Sequence, residues 1–258
     1  MSGQAIVRRR LAVVAASLDD DFRSAAKIAR AAGFAALQLD SHLGDLDILS
    51  LSQSGKRELR AILRSGELDL VGLRLDLGAK GLAADVDAAL DRIEKLLAAA
   101  AGLQSPLLCL DLGPVPADQL MDAALSELAR RADRHGVTIA FRSELAPFAA
   151  LDRALKFAAC PWFGLDLDPV SILKDDWSTD EIFSHLGQQI RHVRARDALA
   201  GPDRRTKPAV IGTGSVDWPR LLSDLDATGY HGWLTLDPVD LPNRRAAAMS
   251  GAAALWRT

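Results

Sequence analysis

Five segments of the chain share the pattern Leu-x-Leu-Asp, at positions 37–40, 73–76, 108–111, 165–168 and 234–237. Each reads as the end of a buried strand, so Asp40, Asp76, Asp111, Asp168 and Asp237 should collect on one rim of the sheet that the strands build. Side chains alternate along a strand, so Gln38, Arg74, Cys109, Asp166 and Thr235 share the aspartate face and the leucines take the other. Two further strands carry guanidiniums to the same zone through Arg142, Arg194 and Arg196, with His192 one layer deeper. Such a crowd of acids and planar cations admits two chemistries. It can close on itself as a structural ion-pair network, since a buried carboxylate must be paired or hydrogen-bonded. It can instead open to a ligand, with guanidinium forks taking carboxylate or phosphate and aspartates taking sugar hydroxyls.

The elements that would position these groups are legible along the whole chain. Apolar runs of strand length alternate with Ala/Leu-rich amphipathic stretches, the mark of βα units around a parallel sheet. The strands read as Leu11–Ala15, Ala35–Asp40, Leu70–Asp76, Pro106–Asp111, Val137–Arg142, Phe163–Asp168, Ile190–Arg196 and Gly232–Asp237. Helical stretches lie near Phe22–Ala32, Gly55–Arg64, Ala83–Ala101, Ala117–Arg134, Phe148–Ala158, Asp180–Gly187, Trp218–Ala227 and Asn243–Trp256. Eight such pairs in 258 residues match the roughly 250 residues of one barrel. The fold class is therefore α/β, a single (β/α)8 TIM barrel spanning residues 1–258. The aspartate-bearing strand ends are expected at one level on the C-terminal rim, where barrel active sites are built. Gly33, Gly66, Gly136 and Gly229 follow helical runs and are expected in the left-handed closing position. Ser41–Ser52 and Ala198–Gly214 are the longest irregular pieces and are expected as active-face loops.

Composition removes several classes of function. Lys and Arg number 31 against 34 Asp and Glu, a net charge of −3, so no global basic field exists to hold nucleic acid. Cys109 and Cys160 read as buried small hydrophobes in a reducing compartment, and a cytoplasmic location is expected. Arg8-Arg9-Arg10 before the apolar Leu11–Leu18 looks like the start of a secretory signal. That run is only eight residues, Asp19-Asp20-Asp21 ends it, and the same residues make a good first strand. No run approaches the ~20 apolar residues of a membrane span.

Some residues outside the rim invite separate readings. Gly212-x-Gly214-Ser215 precedes a helix opened by Asp217-Trp218-Pro219, so its backbone amides are a candidate phosphate cradle, or else a turn with an Asp217 cap. His42 follows Asp40 on the active face and is a candidate ligand contact. His135 and His231 sit beside glycines that end helices and His185 lies on a helix face; these read as structural or solvated. His192 reads as a buried, hydrogen-bonded core residue. Trp177, after Lys174-Asp175-Asp176, could cover a sugar face or pack under its loop. Arg204-Arg205-x-Lys207 is a solvated cluster that would attract an anion if it lies on the active face.

The segments GFAALQLD (33–40), HVRARD (192–197), IGTGSVDW (211–218) and GYHGWLTLD (229–237), with the order of elements, resemble the sugar phosphate isomerase/epimerase family of xylose isomerase-like TIM barrels. The resemblance covers essentially the whole chain and implies a ligand site at the barrel mouth. It also implies a divalent metal there, held by a Glu ending strand five, an Asp ending strand six, a His on strand seven and a Glu ending strand eight. At those positions this chain has Arg142, Asp168, Arg194 and Asp237. A guanidinium has no lone pair to offer a cation, and two fixed positive charges repel one. The expectation is therefore no metal cofactor, with an ion such as Mn or Mg remaining only if the site is remodelled, for instance through Glu144 two residues beyond Arg142.

The function expected on this basis is that of a divergent sugar or sugar-phosphate isomerase or epimerase whose metal site is lost or remodelled. Asp168, Asp237, Arg142 and Arg194 would then carry catalysis, with an arginine pair as oxyanion stabiliser and an aspartate as base. Arg196, Arg74, Asp76, Asp111, Gln38, Asp40, His42, Glu144, Gly212 and Gly214 would bind substrate. The alternative is a non-catalytic, regulatory protein that binds a sugar or small anion in the same cleft. The expected partner is a sugar, sugar phosphate or sugar acid, with neither nucleic acid nor membrane, and with a homo-oligomer open. A metal-dependent AP-endonuclease relative is disfavoured for want of its His/Glu/Asp ligand sets and a basic groove.

Overall fold

Eight parallel strands close on one another in the computed structural model, which describes residues 10–78, 80–113, 115–116, 118–142, 148–157, 160–174 and 178–257. In chain order they are β1 (Leu11–Val14), β2 (Ala36–Asp40), β3 (Asp69–Leu75), β4 (Leu107–Asp111), β5 (Thr138–Arg142), β6 (Phe163–Leu167), β7 (Ile190–Ala195) and β8 (Leu234–Leu236). Each pairs with its neighbours in sequence, and β8 closes the ring on β1. The expected helices are present with their ends shifted by a few residues, as at Gln53–Ser65, Val86–Leu103 and Gln119–His135. Local chemistry sets several of those ends: Asp21, Ser52, Asp85, Asp118, Ser178, Asp217 and Asn243 each accept an amide of the first helical turn, replacing an intrahelical partner that the turn lacks. A short helix at Pro169–Lys174, directly after β6, was not anticipated. Among the described residues no helix is long and apolar enough to cross a membrane.

The alternation along the strands sorts the side chains as expected. Leu37, Leu39, Leu73, Leu75, Leu108, Leu110, Leu165, Leu167, Leu234 and Leu236 are buried in one cluster with the inward faces of the helices. Their neighbours point into the barrel. At its floor Ala12, Ala36 and Val71 pack with Trp233, and the Arg10 guanidinium lies 4.0 Å from the centre of that indole.

The strand ends do not share one level. Asp40 of β2 lies opposite Arg74 of β3, and Arg74 lies opposite Cys109 of β4, so Asp76 stands two residues beyond Asp40. Asp111, Arg142 and Asp166 form one row, and Asp166 continues it to His192. A barrel closes only if its strands tilt and their register climbs around the ring. Equal endings in sequence therefore become a staircase in space. Asp76 is carried out of the barrel, where it is exposed and accepts the Gly78 amide at 2.6 Å.

Two other expectations change. Gly33, Gly136 and Gly229 have positive φ, but Gly66 does not (φ −83°); Glu67, at φ 50°, takes the left-handed place after that helix. The two long loops are not irregular throughout. The first holds a small hairpin of His42–Leu43 and Leu46–Asp47, and the second a longer one of Asp197–Ala200 and Thr206–Ala209.

The longer hairpin is tied to the barrel by a buried anion of the protein itself. Asp197 accepts five N–H groups: from Ala198 at 2.8 Å, Gly212 at 2.9 Å, Gly214, Val216 and the Trp218 indole at 3.2 Å each. Gly212 and Gly214 thus form an anion cradle, as their spacing suggested, but its occupant is Asp197 and no amide there is left for a substrate phosphate. A Cβ at Gly214 would overlap Asp197 Oδ1. Asp197→Ala strands these donors, and Gly214→Ala forces the carboxylate out. Each should lower the unfolding free energy by about 3 kcal/mol or more, measured by urea denaturation, with Gly212→Ala as a test of the positive φ alone.

Candidate functional site

The interior above the floor is polar and fully buried. Gln38, Asp166, His192, Arg194 and Thr235 are all inaccessible to solvent. His192 Nδ1 lies 2.6 Å from Asp166 Oδ1. Because the partner is a carboxylate, that nitrogen donates, and Nε2 is left to accept the Thr235 hydroxyl at 2.7 Å. The Gln38 amide donates to Cys109 Sγ at 3.3 Å. Gln38, expected among the substrate contacts, thus sits in the buried barrel filling.

Arg194 connects this layer to the mouth. Its two terminal nitrogens donate to Asp166 Oδ2 at 2.8 Å and Asp237 Oδ2 at 2.5 Å. The same oxygen of Asp237 accepts from Arg74 at 2.8 Å, and Arg74 also bonds Asp40. The result is a chain of alternating charge, Asp166, Arg194, Asp237, Arg74 and Asp40, crossing the barrel from β6 to β2. Two shorter pairs flank it. Arg142 meets Asp111 at 2.9 Å, and Arg196 reaches Asp168 at 2.9 Å and Asp240 at 2.5 Å.

Exposure divides the mouth into two tiers. Arg194, Asp168, Asp237 and Asp111 lie below it with side chains at most 2% accessible. Arg74, Arg142 and Arg196 retain 11–13%, and Asp40 19%. A ligand descending on the mouth meets guanidiniums whose orientation is held from beneath by acids. His42 is exposed on its small hairpin. Glu144 and Trp177 lie outside the described residues.

Electrostatics sets what the acids can do. Burial alone would raise the pKa of Asp166, but the Arg194 charge beside it and the hydrogen bonds from His192 and Arg194 hold it well below the carboxylate range. Asp237 follows the same balance: burial opposes ionisation, and Arg74 and Arg194 more than offset it. Arg194 is raised in turn by the two acids in spite of its burial. Acids so firmly ionised are weak bases at neutral pH.

The positions where the resemblance calls for metal ligands do not fit a divalent cation. Arg142 and Arg194 offer donors only, and Asp237 and Asp168 are already engaged by Arg194, Arg74 and Arg196. One other group among the described residues has the geometry to hold an ion: Cys109, Asp166 and His192, all buried, with ligand atoms within 4.8 Å. There burial pushes the Cys109 thiol well up, with the Asp166 charge adding to it, and Arg194 competes for Asp166. Sequence reasoning set Asp166 on the barrel face without a role, yet it is the inner anchor of the network. Asp197 and Asp240 were not singled out at all. Asp166 was legible in the sequence, since it is the alternate residue of Leu165-Asp166-Leu167-Asp168 and must share the face of Asp168.

The profile of the family described as xylose isomerase-like TIM barrel matches residues 26–257. Comparison with curated protein sequences finds no match. Among solved structures, a xylose isomerase domain protein from Planctomyces limnophilus superposes with a TM-score of 0.80 at 15% identity, covering 97% of this chain and 96% of that one. The probable 3-DHS dehydratase of Bacillus anthracis gives 0.76 at 14%, with 95% and 98% covered. D-allulose 3-epimerase from Methylomonas sp., in complex with D-allulose, gives 0.72 at 17%, with 97% and 96% covered. At such identities the likeness is one of fold, and the neighbours' differing reactions show that the fold does not choose among them.

Replacing Arg194 by Leu leaves Asp166 and Asp237 without their shared cation and should cost roughly 3–5 kcal/mol of stability, read by urea titration. The pH dependence has a definite sign. Because both folded values lie below the unfolded value of about 3.9, these acids contribute fully above it, and the contribution drains away as pH falls below it. Stability should hold between about pH 5 and 7 and decline on acidification, with a shallower acid slope in Asp237→Asn.

Proposed function

We propose, for a chain that belongs to the xylose isomerase-like TIM barrel family, a divergent sugar isomerase or epimerase type of barrel in which guanidiniums have replaced the divalent metal. Its ligand is a sugar, sugar phosphate or sugar acid bound at the C-terminal mouth. The observation that carries this reading is Arg194, buried between Asp166 and Asp237 where the resemblance asks for a metal-binding histidine. An internal cation there supplies the positive charge that the acids require and leaves no lone pair for an ion.

The contacts follow from the two tiers. Arg74, Arg142 and Arg196 face the ligand and Asp40 accepts from its hydroxyls, while Asp168, Asp237, Asp111 and Arg194 hold them in place. If the protein is catalytic, an arginine pair stabilises an oxyanion and an aspartate must move a proton. The depressed pKa values of Asp166 and Asp237 favour the second reading, a non-catalytic or regulatory binder using the same cleft.

Titration calorimetry against free sugars, sugar phosphates and sugar acids, with turnover assayed in parallel, tests the proposal. Binding should survive EDTA, and the purified protein should carry no stoichiometric divalent ion. Arg142→Ala should weaken binding by roughly 10-fold or more, the worth of a charge-assisted bond. An ion held at the mouth, whose removal abolishes binding or turnover, would overturn the reading. Turnover without metal would decide for the enzyme, and binding without turnover for the regulator.

A further inference from the structure

Between the helices Phe22–Ala31 and Gln53–Ser65 opens a groove of about 530 Å³, bordered also by the small hairpin that follows β2. Its floor is apolar: Phe22, Leu43 and Leu59 are buried, and Leu46, Leu51 and Ile62 are half-buried. Its rim is acidic. Asp19, Asp20, Asp21, Asp45 and Glu58 line it against a single cation among the described residues, Arg23. Two of these acids are neutralised, since Arg23 bonds Glu58 and Arg245 meets Asp19 at 3.2 Å. Asp21 accepts the Ser24 amide as a helix cap and keeps its charge. Asp20 and Asp45 are exposed and have no side-chain hydrogen bond or ion pair among the described residues. Gly44, at φ 54°, lies so close to the Asp20 carbonyl that a Cβ there would overlap it. The hairpin turn therefore sets Asp45 on the same stretch of rim as Asp20.

The other flank of the helix Gln53–Ser65 has the opposite sign. Lys56, Arg57, Arg60 and Arg64 recur at spacings of three and four and so form one stripe along it. None of them has an ion pair among the described residues. Lys56 identifies the side on which the stripe lies, because its stem packs on Gly102 at the end of the helix Val86–Leu103. An ammonium there suits the carbonyl end of that helix. Arg57, Arg60 and Arg64 remain, facing away from the groove, and Asp20, Asp21 and Asp45 remain on the groove side. Elsewhere on the two helices Arg30 is paired with Glu67, and Lys27, one turn after Arg23, is the further unpaired charge among the described residues. One helix thus separates a positive flank from a negative one.

We propose that this face docks a second copy of the chain, the arginine stripe of each copy meeting the acidic rim of the other. A two-fold axis lying in the interface and running along the helix Gln53–Ser65 carries one flank of that helix onto the opposite flank of its mate. A helix with acids on one side and arginines on the other is then complementary to itself, and every contact is made twice. A basic partner from elsewhere would answer the rim and leave the stripe bare, and an acidic one would do the reverse. A second copy answers both. The half-buried Leu46, Leu51 and Ile62 supply the apolar part that an interface core needs, while the charges around them set partner and register. This stands apart from the reading of the mouth.

Sedimentation velocity on the full chain, across about a hundred-fold range of concentration, tests it. At low salt the chain should sediment as a dimer, and its dissociation constant should rise about 10-fold or more between 0.05 and 0.5 M salt, as exposed charges are screened. One variant combines Arg57→Glu with Arg60→Glu, another Asp20→Lys with Asp45→Lys; all four positions are exposed or half-buried, and folding is checked by thermal unfolding. Each variant alone brings like charges together twice and should be monomeric. Mixed in equal amounts the two should pair, because the reversed stripe of one then meets the reversed rim of the other and the native flanks still match. Lys207→Glu on the longer hairpin, an exposed reversal away from this face, should leave the dimer unchanged. A dimer indifferent to both variants, or variants that fail to pair on mixing, would overturn the interface. So would a chain that stays monomeric, even one that takes an arginine-rich peptide in the groove. None of these outcomes touches ligand binding at the mouth, which calorimetry reads separately.

Discussion

A guanidinium without solvent, held between two carboxylates in the middle of a barrel, sets the terms for everything around it. Arg194 is charged at any pH at which the protein folds, and its burial is tolerable only because Asp166 and Asp237 are ionised within hydrogen-bonding distance. Those acids are committed in turn. Asp237 must also serve Arg74, and Asp166 must also accept from His192. A buried pair of this kind adds little net stability compared with apolar packing, but it penalises heavily any arrangement that separates its members. It is better understood as a device that locks the orientation of the mouth than as a source of stability.

On the reading proposed above, that lock is what displaces the metal chemistry that the resemblance implies. A metal at the mouth would need lone pairs that face inward and stay available. Here they are spent on arginines, and the acids are kept too firmly ionised to move protons easily. The same commitment suits the outer tier to the receptor role proposed for it. Arg74, Arg142 and Arg196 are each backed by a buried or half-buried acid, so a ligand finds donors already oriented and little ordering entropy remains to be lost. Asp197 does comparable work for the hairpin after β7, consuming amides that could otherwise have bound a ligand.

The barrel and its inward-facing residues were legible because they depend on period alone. Alternation of two placed every leucine of the Leu-x-Leu-Asp endings under the helices and every intervening polar residue inside. The stagger was not legible, because register is a property of closure and not of any one strand, and so Asp76 was carried with its look-alikes although it faces solvent. Gly66 and Glu67 show the same limit on a smaller scale. Where a helix lets go is decided by where its chain must travel next, and the left-handed residue fell one place later than the glycine. Gly212 and Gly214 left two readings open, an anion cradle and a turn before an Asp217 cap; the cap is present, and the cradle holds an anion that comes from 15 and 17 residues earlier in the chain.

By itself the amino-acid order determined the eight-unit architecture, the face on which each strand residue lies, and the presence of guanidiniums where the resemblance implies metal ligands. Those are matters of type and spacing. Only the folded chain decided which acid each arginine takes, which of them stay within reach of a ligand, and that Asp197 and Asp240 belong with the site at all. Partnership between charges is settled by distance and by exclusion of water, and neither exists until the strands have closed.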